Sequence, residues 1–207
     1  MASSTDPYLQ AYREAQTKYG NQFGVTLWAS EESQATRFRV ITEMLYLAGK
    51  RILDAGCSRG DFAAYLLDRD IGYSSYVGID AIESVVDFAK ARGLAGARFV
   101  HGDLVREPEL LAASQPQIVV LSGTLNTMDD QIIMSLLESA WSAAGEALIF
   151  NFLSDMAGEG AQNQSYPARR LSTITLLGWA LTRTWSVQFR HDYFQCGHDA
   201  TILMRKF

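Results

Sequence analysis

Two glycines and an acid lie close together near residue 55, in an arrangement that can bind a polar small molecule. A short apolar run at 51–55 contains Asp54 and ends directly before Gly56. Gly60 lies four residues after Gly56. Glycine has no Cβ atom, so a ligand can approach the backbone closely, and the helix predicted to follow offers unpaired N–H groups. A glycine at this place also serves tight strand–helix packing, so the turn alone does not establish a binding site.

Two further acids stand at the ends of later apolar runs. Asp80 closes the run 76–80, twenty residues after Gly60, and Asp103 closes the run 99–103. A carboxylate at the end of the second strand can accept both hydroxyls of a ribose. A carboxylate at the end of the third can accept from an exocyclic amine such as that of adenine. Each acid has an ordinary alternative as a solvated strand end or a helix cap, but the three in register indicate a nucleoside site.

Alternating strands and helices would bring these residues to one sheet edge. Apolar runs predict strands, and stretches with helical spacing separate them; a helix at 31–48 begins with Ser30-x-x-Ser33. The predicted strands are 51–55, 75–80, 97–101, 117–122 and 146–153, and the predicted helices are 31–48, 61–69, 82–92, 105–113 and 130–143. This order is typical of parallel βαβ units, and the alternating segments 184–191 and 199–206 predict a closing hairpin.

Composition narrows the class of protein. The chain has 207 residues, 48% of them hydrophobic, which suits one α/β domain. A net charge of -5 without a long basic run disfavours a nucleic-acid partner. Two cysteines and three histidines without zinc-ligand spacing predict neither a disulfide framework nor a metal site. No signal sequence or apolar stretch of about 18 residues is found, so we expect a cytoplasmic protein without a membrane partner.

The motif series resembles that of the class I methyltransferases that use S-adenosylmethionine (SAM), over residues 31–207. In that family's first motif, Ser58 stands where the middle glycine is commonest. The resemblance implies a seven-stranded, mostly parallel sheet of order 3-2-1-4-5-7-6 with strand 7 antiparallel and helices on both faces. It also implies SAM as cofactor and S-adenosylhomocysteine (SAH) as product. The implied cofactor-binding residues are Arg37, Asp54, Gly56, Ser58, Gly60, Asp80, Ala81, Ile82, Asp103, Leu104, Ser122 and Gly123; Gln34 is an alternative to Arg37.

Other functions compete with this interpretation. A dinucleotide oxidoreductase also has a glycine turn followed by an acid, but its fingerprint requires Gly-x-Gly-x-x-Gly for the pyrophosphate, and this chain has Ser58 between its two glycines. A non-catalytic SAM-binding or partner module stays open, because no acceptor-specific motif is recognisable. Methylation of a protein or RNA also stays open, although the composition favours a small-molecule acceptor.

Residues for catalysis and for covering the site come from the two ends of the chain. The hairpin link should place His191, His198 and Tyr193 at the sheet edge, where a histidine can act as a general base; a polar hairpin tip is the alternative. We expect residues 1–30, which are rich in aromatics, to form a cap on the domain 31–207. The loop 154–168 is long enough for a lid or a mobile insertion. A monomer or a homodimer is expected.

Overall fold

A computed structural model describes residues 6–164 and 166–207. The first five residues of the predicted cap and Ser165 of the long loop lie outside the described residues. One sheet of seven strands runs through the molecule in the order 3-2-1-4-5-7-6. The strands are β1 (Arg51–Ala55), β2 (Ser75–Asp80), β3 (Ala97–His101), β4 (Ile118–Ser122), β5 (Ala147–Leu153), β6 (Val187–Arg190) and β7 (Asp199–Arg205).

The directions of the strands determine where the predicted site residues meet. β1 to β5 pair in parallel, whereas β7 runs antiparallel to both β5 and β6. Asp80 is in register with His101, and Ser122 is in register with Asn151, so the carboxyl ends of these strands share one edge. The predicted strand order and the single antiparallel strand are confirmed.

Helices cover both faces of the sheet, as predicted. Their bounds are α1 (Pro7–Tyr19), α2 (Glu31–Met44), α3 (Asp61–Leu67), α4 (Glu83–Ala91), α5 (Asp130–Ala143) and α6 (Thr173–Arg183). One hydrophobic core joins α1, α5 and α6 to the sheet, and the other joins α2, α3 and α4 to its opposite face. Every residue of β5 is buried, because this central strand is covered on both sides.

Local signals account for most element boundaries. Ser30 and Ser33 form the predicted capping box at the start of α2. That helix ends at Met44, earlier than expected, because Leu45 is already extended. The helix predicted at 105–113 is wrong: only a 3₁₀ turn, Pro108–Leu111, forms there. Pro108 lacks the N–H that a longer helix through this position would need.

Two further differences lie in the last third of the chain. α6 was not among the predicted helices, although Ser172 caps it by accepting from the Thr175 backbone. The first hairpin strand is shorter than the predicted 184–191 and comprises only Val187–Arg190. Across the described residues, the longest apolar helices fall short of what spanning a bilayer requires.

Candidate functional site

A cavity of about 810 Å³, including its open mouth, lies at the carboxyl edge of the parallel strands. We call it the Asp80 cavity. Nine of the predicted cofactor-binding residues line it: Gly56, Ser58, Asp80, Ala81, Ile82, Asp103, Leu104, Ser122 and Gly123. The covering wall comes from the N-terminal segment, through Tyr8, Leu9, Tyr12, Val25, Thr26 and Trp28. The volume lies within the range of cavities that enclose small ligands.

The glycine turn forms the floor of this cavity, and its backbone explains the residue types. Gly56 has φ +82° and Ser58 has φ +45°, in the left-handed region that favours glycine. A Cβ atom at Gly56 would lie 2.6 Å from Oγ1 of Thr124, whose hydroxyl donates to the Ala55 carbonyl. Only glycine fits at Gly56, and its absence of a side chain keeps the floor open.

Asp80 holds the turn in place with its carboxylate. One oxygen accepts from the Ser58 N–H and the other from the Ile82 N–H, both at 2.9 Å. Burial raises the pKa of Asp80, while these backbone hydrogen bonds act in the opposite direction. A carboxylate has about four acceptor sites, so Asp80 keeps capacity to bind hydroxyl groups of a ligand.

Asp103 is contacted by the N-terminal helix. The Tyr8 hydroxyl donates to Oδ2 of Asp103 at 2.7 Å, and the Val105 N–H donates to Oδ1 at 3.0 Å. Burial and the neighbouring Asp103 carboxylate raise the pKa of Tyr8, so its hydroxyl stays protonated. Tyr8 therefore shares the carboxylate that was expected to bind an exocyclic amine.

Three predicted cofactor residues do not line the Asp80 cavity. Asp54 is buried behind the turn and accepts a hydrogen bond from the Tyr76 hydroxyl. Burial raises the pKa of Asp54 to about 7. Gly60 is a packing position, since a Cβ atom there would lie 2.7 Å from Cζ of Phe99. Arg37 lies elsewhere, in an ion pair.

Arg37 forms a buried ion pair with the terminal hairpin. Its guanidinium donates to both carboxylate oxygens of Asp199, at 2.6 and 2.7 Å. The rings of Trp28 and Phe194 lie 4.3 and 4.5 Å from the guanidinium carbon. Arg37 is only 5% exposed, so this geometry does not favour the predicted contact with a cofactor carboxylate in the Asp80 cavity; Gln34 is buried and also lies outside it.

A second cavity of about 1020 Å³, including its mouth, adjoins the first. We call it the Asn126 cavity. Both cavities are lined by Tyr12, Thr26, Trp28 and Gly123, which mark their junction. The remaining lining residues are Leu27, Ala29, Arg37, Asn126, Thr127, Leu153, Gln162, Asn163, Gln164, Tyr166, Pro167, Ala168 and His198. Burial raises the pKa of Tyr12 to about 12, so its phenol is neutral at the junction.

His198 is the one predicted catalytic residue that lines either cavity within the described chain. Its Nδ1 lies 3.1 Å from Nη2 of Arg170, and its Nε2 lies 3.2 Å from the amide nitrogen of Gln164. A guanidinium can only donate, so Nδ1 accepts from Arg170. Burial lowers the pKa of His198. Both ring nitrogens are thus engaged by side chains of the protein, which does not favour the predicted general-base role.

The other two predicted catalytic residues face the hairpin instead. His191 packs against Gly197 and stacks on Phe189, and its buried Nε2 has no hydrogen-bond partner in the described part of the chain. The Tyr193 hydroxyl is hydrogen-bonded to Oγ1 of Thr201 at 2.8 Å. Burial raises the pKa of Tyr193. Neither residue lines the Asp80 cavity or the Asn126 cavity.

Sequence reasoning missed several residues of the two cavities. Asn126 and Arg170 were not selected, and Tyr8, Tyr12 and Trp28 were noted only as aromatics of a possible cover. Asn126 lies four residues after β4 ends at Ser122, so its place near the sheet edge was a usable signal. No local pattern marks Arg170, whose partners lie 8 to 28 residues away.

Known proteins resemble this chain in both sequence and structure. Residues 52–144 match the family described as methyltransferase domain. This segment is a little less than half of the chain, and the whole sheet has the fold of the SAM-dependent methyltransferases. A SAM-dependent methyltransferase from Archaeoglobus fulgidus superposes with a TM-score of 0.68 at 16% identity, covering 86% of this chain and 95% of that one. Magnesium protoporphyrin IX methyltransferase from Synechocystis, with bound SAH, gives 0.68 at 15% identity, covering 95% and 93%.

A curated relative matches a shorter segment of this chain. The fatty-acid O-methyltransferase of Mycolicibacterium smegmatis is 32% identical over 84 residues. That segment is 40% of this chain and 27% of the relative, so the chain spans about a quarter of that protein's length. The structural neighbours establish the fold, and the glycine turn and both strand-end acids lie inside the segment that matches the family.

Proposed function

We propose that the protein binds SAM in the Asp80 cavity and transfers its methyl group to a small molecule in the Asn126 cavity. The observation that carries this proposal is the junction of the two cavities at Gly123, directly after the fourth strand. A donor in one cavity and an acceptor in the other would meet there. SAH-bound and SAM-bound neighbours with the same fold support the choice of cofactor.

The chemistry of the Asp80 cavity suits SAM better than a dinucleotide. Asp80 and Asp103 line it, and no lysine, arginine or histidine does so among the described residues. SAM carries a positive sulfonium and no phosphate, whereas a pyrophosphate would be repelled by the two carboxylates. Asp80 would bind the ribose hydroxyls, and Asp103 would accept from the adenine amine beside the apolar side chains of Ile82 and Leu104.

When bound, SAM supplies an electrophilic methyl group on a positively charged sulfur. The residues of the chain would position the partners of the transfer. Ser122 and Gly123 would lie beside the methionine part, and Asn151 holds this segment by accepting from the Gly123 N–H at 2.8 Å. Trp28 and Tyr12 would cover the junction and exclude water, which favours alignment of the nucleophile with the methyl group.

The described part of residues 1–30 supports a role as a cap. α1 supplies Tyr8, Leu9 and Tyr12 to the wall of the Asp80 cavity, and the segment after it supplies Trp28. The domain division at residue 30 stays a proposal. If this division is right, removing the contacts of residues 1–30 should lower the affinity for the ligand more than it lowers the stability of the sheet.

Calorimetric titration with SAM and SAH tests the proposed function. We expect the wild type to bind both ligands, and Asp80→Asn and Asp80→Ala to bind SAH about 10-fold or more weakly, because hydrogen bonds to a charged group contribute about 1.5–3 kcal/mol. Asp87→Ala is the matched control, since Asp87 is exposed on α4 and pairs only with Lys90. Absence of binding by the wild type at millimolar SAM and SAH would reject the proposal.

A further inference from the structure

The two adjoining cavities differ in charge. Asp80 and Asp103 line the first cavity without a basic side chain, whereas no aspartate or glutamate of the described chain lines the Asn126 cavity. Its ionisable residues are Arg37 and His198, together with the phenols of Tyr12 and Tyr166. An acid-lined cavity favours a cationic ligand, and an acid-free cavity removes the repulsion that would exclude an anionic one.

Arg170 adds a positive charge beside the second cavity. Arg37 is neutralised by Asp199, but Arg170 has no carboxylate within ion-pair distance in the part of the chain that the structure describes. Its four hydrogen bonds go to neutral acceptors: the carbonyls of Ser154, Gln162 and His198, and the ring of His198. Because Gln162 and His198 line the cavity, this unbalanced charge acts on whatever occupies it.

Asn126 supplies a hydrogen-bond donor with a fixed orientation. Its Oδ1 accepts from the Leu153 N–H at 3.0 Å. A backbone N–H requires an acceptor, so the amide oxygen must face Leu153 and Nδ2 must face away from it. Nδ2 has no hydrogen-bond partner among the described residues, although Asn126 is only 8% exposed and lines the cavity. A partly buried donor of this kind favours a ligand oxygen.

We infer that the acceptor is a carboxylate with an apolar body, bound through an oxygen to Nδ2 of Asn126 and attracted by the charge of Arg170. The apolar body would contact Leu27, Leu153 and Pro167, which line the same cavity. This inference rests on the proposed function and specifies the substrate class of that site. The product would be a methyl ester.

This acceptor removes the need for a general base. A carboxylic acid has a pKa near 4 and is already ionised at neutral pH. One carboxylate oxygen forms a bond to the methyl carbon while the carbon–sulfur bond breaks and its electron pair stays on sulfur. The products are a neutral ester and neutral sulfur in SAH, and no proton is transferred. His191 and Tyr193 lie outside both cavities, and both ring nitrogens of His198 are engaged by Arg170 and Gln164, which agrees with this chemistry.

Matched acids and amines test the charge of the acceptor in SAH-saturated wild-type protein. The probes are octanoate and octylamine, benzoate and benzylamine, and phenylacetate and phenethylamine, each titrated by calorimetry and ligand-observed NMR. We expect at least one acid to bind, and to bind about 10-fold more tightly than its amine. Failure of all three acids to bind, or equal binding of acid and amine in every pair, overturns the inference.

Asn126→Asp tests the donor with little change in shape. Aspartate keeps an oxygen for the Leu153 N–H and replaces Nδ2 with a negatively charged oxygen. We expect the best acid to bind about 10-fold or more weakly, and the SAH titration checks that the Asp80 cavity is intact. Unchanged acid binding by a folded Asn126→Asp variant would overturn the inference.

Arg170→Lys and Arg170→Met separate charge from anchoring, because both lose the hydrogen-bond network and only lysine keeps the charge. We expect Arg170→Lys to bind the acid more tightly than Arg170→Met, and equal affinities would contradict the role of the charge.

The two proposals can fail separately. If the wild type does not bind SAH, the proposed function is refuted. A SAH-binding protein that prefers the amines refutes only the acceptor class.

Discussion

The ring of Trp28 occupies the space where a Cβ atom of Gly123 would stand, with Cη2 of the indole 2.6 Å from that position. This contact lies where the two cavities meet. It joins the N-terminal segment to the end of β4. The indole ring also lies 4.3 Å from the guanidinium carbon of Arg37, so Trp28 contacts both the sheet edge and the buried ion pair.

Gly123→Ala should therefore disturb the junction. The new methyl group overlaps the indole, and φ of +76° is strained for alanine. We expect SAH to bind about 10-fold more weakly in calorimetry, and the free energy of unfolding to fall by about 1–3 kcal/mol in urea. Adding Trp28→Leu should restore part of the loss. Gly72→Ala is the control, because a Cβ atom there meets nothing within 4 Å; equal effects at both glycines would contradict this account.

Ser58→Gly should stabilise the turn. A serine at φ +45° costs about 1–2 kcal/mol, and the greater freedom of glycine in the unfolded chain offsets about 0.5–1 kcal/mol of the gain. We expect a net gain of about 0.5–1 kcal/mol in urea unfolding. SAH binding should persist, since the 58 backbone N–H still donates to Asp80. Exposed Ser74 lacks a positive φ, so Ser74→Gly should instead lose stability.

Asp54→Asn should flatten the dependence of stability on pH. The folded-state pKa of Asp54 is raised to about 7 by burial, above the value of about 4 in the unfolded chain. Between pH 4 and pH 7 the folded state therefore binds more protons than the unfolded state. The stability that protonated Asp54 contributes is present in full below pH 4 and is lost as the pH rises to 7. Unfolding in urea at several pH values should show the wild type losing stability across that window.

Asparagine does not titrate, so the variant should gain relative to the wild type between pH 5 and 8. The mutation leaves the Tyr76 hydroxyl with an amide oxygen to donate to. Asp68→Asn is a suitable control, because Asp68 lies at the solvent-facing C-terminal end of α3. Parallel stability curves for the wild type and Asp54→Asn would refute the assignment of this pH dependence to Asp54.

Arg37→Met should destabilise the fold strongly. It leaves the carboxylate of Asp199, which is 1% exposed, without its cation. Removing one partner of a buried ion pair costs about 3–5 kcal/mol. The double variant Arg37→Met with Asp199→Asn should lose less than the sum of the two single variants, which urea unfolding can measure. Arg39→Met, at an exposed pair with Glu43, should change stability by less than about 1 kcal/mol.

The local part of the site could be predicted from the sequence. The turn around Gly56 depends on backbone conformations that few residues adopt, and Asp80 and Asp103 follow strands whose parallel order brings their ends together. These requirements appear in residue types and spacings, and nine of the twelve predicted cofactor residues line the Asp80 cavity. The strand order, which the family resemblance implied, is the observed one. The sequence showed the aromatic residues of the cap but not the residues that they contact.

The tertiary structure alone decided the partners of side chains that are distant in the chain. Asp54 had the right spacing for the ligand but is buried against Tyr76, and Arg37 is bound by Asp199, 162 residues away. The histidines of the hairpin link had suitable chemistry, yet their orientation depends on how the link folds back and on the donors of Arg170. Asn126 became a candidate only once Leu153 had determined which end of its amide faces the cavity. Spacing determines backbone geometry, whereas packing between distant segments determines which polar atoms remain for a ligand.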